Sequence, residues 1–287
     1  MSKKKRNFLI FIIIAIAILV CLALLLYRLL SPQNTQVISQ VIENRYEQIS
    51  PVKTISLKPL EDQIGQQITC TGLTYDSENH FYWIGNYGKS KPNVEEKSPQ
   101  IIECNEDFTS CKNIIALEES VNVQGIAYDH TSQTLWYTDG NTVNQIDRQG
   151  TLISSFNLGK YSKFEANGIA IDEDDCLWIL CYYEYLLKFN KNGKLLEVID
   201  SNYIAQDHLC FYNSRLYFSV GDDYQGKNNY VIEYSPDKTS FEKVYQVNES
   251  YAIEGIVIVD NHLLVANDGY YHDAINLDNY ICEYDLN

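Results

Sequence analysis

Methionine is nearly missing from this chain, with one in 287 residues against 23 tyrosines. That imbalance argues against a core of oily helices and for half-buried strands, on which aromatic side chains pack well. Charge is also scarce: Asp, Glu, Lys and Arg make up 21% and apolar residues 45%, which excludes disorder over most of the length. Basic residues are the rarer sign, 22 against 38 acidic, giving a net charge of −16. Five of them, Lys3, Lys4, Lys5, Arg6 and Arg28, precede the first acid at Glu43, so the remainder is more negative still. Such a surface repels nucleic acid and anionic lipid. No G-x-S-x-G, H-E-x-x-H or C-x-x-C occurs. Gly85 to Ser90 has two residues where a phosphate loop needs four, and no helix pattern follows.

One long apolar run is present. Residues 8–26, FLIFIIIAIAILVCLALLL, carry no charge and as a helix rising about 1.5 Å per residue nearly span a hydrocarbon core of about 30 Å. Four basic residues precede the run and Arg28 alone follows closely, so the N-terminus is expected in the cytoplasm and the rest outside it, periplasmic or extracellular. The length of the run and the lack of a small-x-small cleavage site favour an uncleaved anchor over a signal peptide. The expected organisation is a cytoplasmic tip and transmembrane anchor at 1–30, a stalk at 31–51 and a folded domain at 52–287.

Within that domain one phrase recurs: TGLTYD from Thr71, QGIAYD from Gln124, NGIAID from Asn167, a degraded DHLCFY from Asp207, and EGIVIV from Glu254. Taking Gly72, Gly125, Gly168, His208 and Gly255 as equivalent, the steps run from 40 to 53 residues, the period of propeller blades. Each copy precedes a second apolar run (HFYWIG, TLWYTD, CLWILC, RLYFSV, HLLVAN), then a third and a fourth, which makes four short strands per blade. The last copy stops after its third run, YICEYDLN, and Val52–Leu57 reads as the strand it lacks. The expected fold is therefore an all-β propeller of five blades, or six if residues 36–60 supply another. Its ring is closed by strands from both ends of the chain.

The recurring Gly is expected where neighbouring backbones approach too closely for a β-carbon. Immediately before that position stand Thr71, Gln124, Asn167, Asp207 and Glu254, which symmetry places around one mouth of the central channel. The loops from Asn86, Thr138, Tyr182, Gly221 and Asn267 should rim the same mouth. Those in the first, fourth and fifth blades are long, become neighbours on ring closure, and offer Tyr87, Asp223, Tyr224, Asp268, Tyr270 and His272 for recognition of a polar small molecule, glycan or protein. Asn167, Asp207 and Glu254 are oxygen donors suited to a hard cation such as Ca²⁺, although the same ring could hold channel waters. His208 is a candidate base or a packed histidine. The acidic run Asp172–Asp175 is expected in a hairpin turn on the opposite face.

Outside the apolar run lie Cys70, Cys104, Cys111, Cys176, Cys181, Cys210 and Cys282, an odd number. Cys104 and Cys111 flank a hairpin and are expected to form a disulfide on the oxidising side of the membrane.

The phrases TGLTYD, QGIAYD, NGIAID and EGIVI, each followed by an aromatic-apolar strand, resemble the SdiA-regulated propeller family of bacterial envelopes and, more loosely, NHL repeats. That resemblance implies an interaction or ligand-binding module. ANGI at Ala166–Ile169 and EG at Glu254 are similar to the metal-binding phrases of gluconolactonase and regucalcin propellers. Their likeness implies a divalent cation at Asn167, Asp207 and Glu254 and hydrolysis of a lactone or ester.

Overall fold

Each recurring phrase forms the innermost strand of a four-stranded antiparallel sheet, and five such sheets stand in a ring. The computed structural model describes residues 40, 41, 43–221 and 223–286. Blade 1 runs Cys70–Asp76, Phe81–Asn86, Gln100–Asn105, Cys111–Ala116, and blade 2 runs Val123–Asp129, Thr134–Asp139, Thr142–Ile146, Leu152–Asn157. Blade 3 runs Ala166–Ile171, Leu177–Cys181, Tyr183–Phe189, Leu195–Ile204, and blade 4 runs Gln206–Tyr212, Arg215–Val220, Tyr230–Ser235, Ser240–Val247. Blade 5 takes three strands from the C-terminus, Ile253–Val259, His262–Asp268 and Asn279–Asp285. Its outer strand, Lys53–Ser56, comes from the N-terminal side and pairs antiparallel with Asn279–Asp285. This is the closure expected from Val52–Leu57, and the number of blades is five.

Among the described residues of the range 36–60 no sixth blade forms. Glu47–Ile49 instead adds in parallel to the outer strand of blade 4, with Ile49 opposite Val247, and Lys58–Ile64 is a short helix with Pro59 in its first turn and Gly65 at its C-cap. The segment expected as a membrane anchor, 8–26, lies outside the described residues. Among the described residues no helix is long and apolar enough to cross a membrane.

Among the described residues the core is divided among five clusters, each spanning two adjacent blades, with Val41, Ile49, Leu57 and Leu60 added from the segment before the first blade. The one that matters for closure joins Leu57, Leu60, Leu73 and Ile84 to Val257, Leu264 and Ile281, sealing the last blade against the first. Equivalent second-strand positions point forward into the next blade: Trp83, Trp136 and Trp178, each almost fully buried, then Tyr217 and Leu264. Alternation along the strand, with a period of two, puts this residue on the same face every time.

The acidic turns lie at the end of the sheets away from the recurring polar positions. Asp76, Asp129 and Asp172 each accept backbone N–H groups of the turn that follows, and Asp129 and Asp172 also accept from the indole Nε1 of Trp136 and Trp178 at 3.3 and 2.9 Å. In blades 4 and 5 the corresponding turns shrink to two residues, Asn213-Ser214 and Asp260-Asn261. All four have positive φ, as a tight hairpin matched to strand twist requires.

The expected Cys104–Cys111 disulfide is absent. The two residues are opposite each other in register, but a bulge between Glu103 and Cys104 breaks the regular pairing there. Cys104 is fully buried among core residues, while the half-exposed Cys111 donates to Asn113 O. All seven cysteines among the described residues are free thiols.

Candidate functional site

The innermost strand of every blade carries a bulge at its polar position. Register slips between Cys70 and Gly72, Val123 and Ile126, Ala166 and Gly168, Gln206 and Leu209, and Ile253 and Gly255. Thr71, Gln124, Asn167, Asp207 and Glu254 therefore all stand on bulged segments, where the ladder is interrupted and side chains are re-aimed. Second-strand hydroxyls satisfy two of the freed N–H groups. Thr138 Oγ1 accepts from Gly125 N and donates to Asn167 O, each at 2.8 Å, and Ser219 Oγ accepts from His208 N at 2.9 Å.

Three of the five polar residues join one cluster, together with three side chains from elsewhere. Asn167 Nδ2 donates to Asp207 Oδ1 at 2.7 Å. His208, which replaces the recurring Gly, turns its Nε2 between Asp207 Oδ1 at 3.6 Å and Glu254 Oε2 at 3.5 Å. The other oxygen of Glu254 lies 2.8 Å from His272 Nε2, and that nitrogen is 3.4 Å from Asp268 Oδ1. Asp268 ends the second strand of blade 5, and its carbonyl accepts from the backbone N–H groups of Tyr271 and His272, a turn that returns the imidazole over Glu254. Tyr224, from the long loop of blade 4, stacks on the His272 ring at 4.1 Å. Tyr182, Asp207, Tyr224 and Glu254 line a small cavity of about 50 Å³.

The remaining expected residues serve other ends. Thr71 is buried with its hydroxyl unpaired, close over Gly85, and Gln124 is half-buried with no hydrogen bond to the cluster among the described residues. Asp223 organises its own loop, accepting from Gln225 N, Lys227 N and Asn228 Nδ2. Tyr87 packs edge-on against Tyr271, and Tyr270 lies under the Lys91 ammonium, which also bonds Asp273 and the Tyr270 carbonyl. These contacts join the long loops of blades 1 and 5, as ring closure predicts. Tyr182 enters the sequence reading only as the start of a loop at this mouth, and Tyr271 carries no signal there beyond its place in such a loop.

Burial and mutual repulsion separate the carboxylates. Glu254 resists the upward push of burial because two imidazoles face it, and its pKa falls to about 2. Asp207 is pushed up to about 6 by burial, with the Glu254 charge adding to the rise and His208 opposing it. Asp268, only 1% exposed, is held well above the usual carboxylate range by burial and by the charges of Glu254 and Asp207. Burial works against a charged His208, but Asp207 and Glu254 outweigh it and raise its pKa.

A carboxyl whose pKa is raised by folding gives the folded state the greater proton affinity. Its contribution to stability falls as pH rises from the unfolded value near 4 through the folded one. In chelator, Asp268→Asn is therefore expected to match wild type near pH 4 and to be the more stable of the two at pH 8. Urea denaturation at both pH values checks this. A variant less stable than wild type at pH 8 contradicts the repulsion.

A larger cavity, about 650 Å³, opens on the opposite face between the inner strands. The channel closes between the two faces at a waist formed by Gly72, Gly125, Gly168 and His208. The larger funnel is lined by Leu73, Ile126, Ile169 and Leu209 together with His80, His130, Asp172, Glu173 and Asp260, whereas the histidines and carboxylates that approach closely enough to share an ion, among the described residues, lie at the smaller mouth.

No family model matches this chain, and no curated protein sequence does. Among solved structures, Myxococcus xanthus glutaminyl cyclase is similar with a TM-score of 0.61 and 10% identity, covering 85% of this chain and 99% of that one. Virginiamycin B lyase from Staphylococcus aureus has a TM-score of 0.45 and 14% identity, covering 75% of this chain and 66% of that one. The Neurospora crassa Pan2 WD40 domain has a TM-score of 0.44 and 9% identity, covering 76% and 62%. At such identities the likeness is one of fold, the β-propeller.

Proposed function

We propose that this chain is a ligand-binding β-propeller, anchored through residues 8–26 and facing outside the cytoplasm, whose channel mouth receives a positively charged ligand. The observation that carries the reading is convergence at that mouth: among the described residues, the carboxyl groups of Asp207, Glu254 and Asp268 gather there with the imidazoles of His208 and His272. Beside them the cavity of about 50 Å³ is large enough for one ion or ammonium head, and Tyr182 and Tyr224 supply aromatic surface to it. The SdiA-regulated and NHL resemblance of the repeats agrees with a binding role.

Hydrolysis assisted by a cation is the second reading, favoured by the Glu254–His272 pair at 2.8 Å, a distance suited to proton transfer. It agrees with the gluconolactonase-like phrases at Asn167 and Glu254.

Thermal unfolding of the full-length chain in mild detergent, with alkylammonium ions, Ca²⁺, Mn²⁺, Co²⁺ and Zn²⁺ each tested against an uncharged analogue or chelator, is the direct test. A ligand bound at a hundred times its Kd stabilises by about 2.7 kcal/mol, so at least one cation should raise the melting temperature by several degrees. Glu254→Gln should abolish the rise. If every cation leaves the transition unmoved, the binding reading fails; a lactone and ester assay run alongside decides the hydrolytic one. Protease added to cells stripped of wall and any outer membrane should degrade the propeller, and protection there that is lost on lysis would overturn its outside placement.

A further inference from the structure

Glu254 is the centre of two like constellations. Its Oε2 lies 3.5 Å from His208, which stands beside Asp207 on the inner strand of blade 4, and its Oε1 lies 2.8 Å from His272, which follows Asp268 in the second strand and loop of blade 5. The donor atoms within each set lie within 4.8 Å of one another.

The separations are those of ligands more than of hydrogen-bonded partners. A charge-assisted imidazole–carboxylate bond runs about 2.7–2.9 Å, whereas donors bound to one cation at about 2.0–2.2 Å stand roughly 3–3.5 Å apart. Three of the four contacts, at 3.4, 3.5 and 3.6 Å, fall near the second range. Only His272 to Glu254, at 2.8 Å, is a hydrogen bond.

Independent support comes from two buried atoms, one on each side of Glu254. His208 Nε2, on a side chain 2% exposed, and Asp268 Oδ1, on a residue 1% exposed, make no hydrogen bond. Leaving such groups unpaired in the interior is costly, and a bound cation removes the cost at both. Asn167, which donates to Asp207, and Tyr224, which stacks on His272, hold the outer side chains in place as supporting residues around metal sites do.

We propose that the cluster is a two-cation centre in which Glu254 bridges one ion held with Asp207 and His208 and a second held with Asp268 and His272. The inference deepens the cation-binding reading and rests on it. Three carboxylates against two divalent ions leave one positive charge, which a hydroxide would neutralise, the proton of its parent water being released to bulk solvent. One imidazole nitrogen beside two carboxylates on each side suits Mn²⁺, Fe²⁺, Co²⁺ or Zn²⁺ better than Ca²⁺, which takes oxygen donors. A bridging carboxylate sets such ions about 3.5–4 Å apart, the arrangement used for hydrolytic and phosphoryl chemistry.

The test is stoichiometry. Full-length protein in mild detergent, stripped with chelator and dialysed against Mn²⁺ or Co²⁺, should hold two ions per chain by elemental analysis. The Mn²⁺ form should give the spin-coupled magnetic resonance spectrum of a bridged pair. His272→Ala, on a loop, should fold by circular dichroism, hold one ion and lose the coupling, and Glu254→Gln should weaken both ions at least tenfold. One ion per wild-type chain, or two in His272→Ala, overturns the bridge. If neither metal binds while an alkylammonium ion still stabilises the protein, the two-cation centre fails and the cation-binding reading stands.

Discussion

Gly125→Ala should cost about 3 kcal/mol, at the upper end of what overpacking usually costs. A β-carbon built at Gly125 would stand 2.2 Å from Asn167 O, 2.7 Å from Ile169 N and 2.9 Å from Gly168 C, all main-chain atoms of the next blade. No rotamer change relieves such contacts, and the neighbouring strand can retreat only by opening the seam between blades 2 and 3. The same retreat would pull Asn167 O from Thr138 and Asn167 Nδ2 from Asp207, so the site is disturbed with the scaffold. Gly85→Ala is the control, because its β-carbon would meet chiefly Thr71 Oγ1 at 3.2 Å, an atom on a side chain that can turn. Urea denaturation should separate the two variants by at least about 2 kcal/mol, and equal midpoints would show that the inner ring is looser than its contacts.

Asp172→Ala is expected to be as damaging, at about 3–5 kcal/mol, for a different reason. Asp172 Oδ1 accepts from the backbone of Asp174 and Cys176, and Oδ2 accepts from Trp178 Nε1 at 2.9 Å and pairs with Lys188 Nζ at 2.7 Å. Truncation leaves a fully buried indole N–H without its acceptor and a largely buried ammonium without its nearest counter-charge. Asp174→Ala, two residues away in the same turn, removes an exposed carboxylate 3.8 Å from Lys188 and should change stability by less than about 0.5 kcal/mol. A comparable loss in both variants would mean that the turn, rather than the buried network, supplies the stability.

Much of the scaffold was legible because its determinants are local and repeated. Alternation showed the strands, and the 40-to-53-residue period showed the blades. The missing last strand located its substitute at Val52–Leu57, where the structure pairs Lys53–Ser56 with Asn279–Asp285. Glycine before an apolar run marked the close approach that Gly125 now illustrates. The expected disulfide does not form because spacing shows only that two cysteines can face each other, whereas the bulge at Glu103–Cys104 decides how they do.

The site was legible only as a face. Sequence placed Asn167, Asp207 and Glu254 at one mouth and the long loops beside them, but symmetry alone makes all five polar positions equal. Tertiary structure broke that equality: Thr71 folds over Gly85, Gln124 stands apart, and a turn closed on the Asp268 carbonyl brings His272 back to Glu254. Patterns with periods of two or forty residues are set by neighbours along the chain, so the chain displays them. Where a side chain ends up after a bulge, a loop and ring closure depends on packing between residues far apart in sequence, and only the assembled fold decides it.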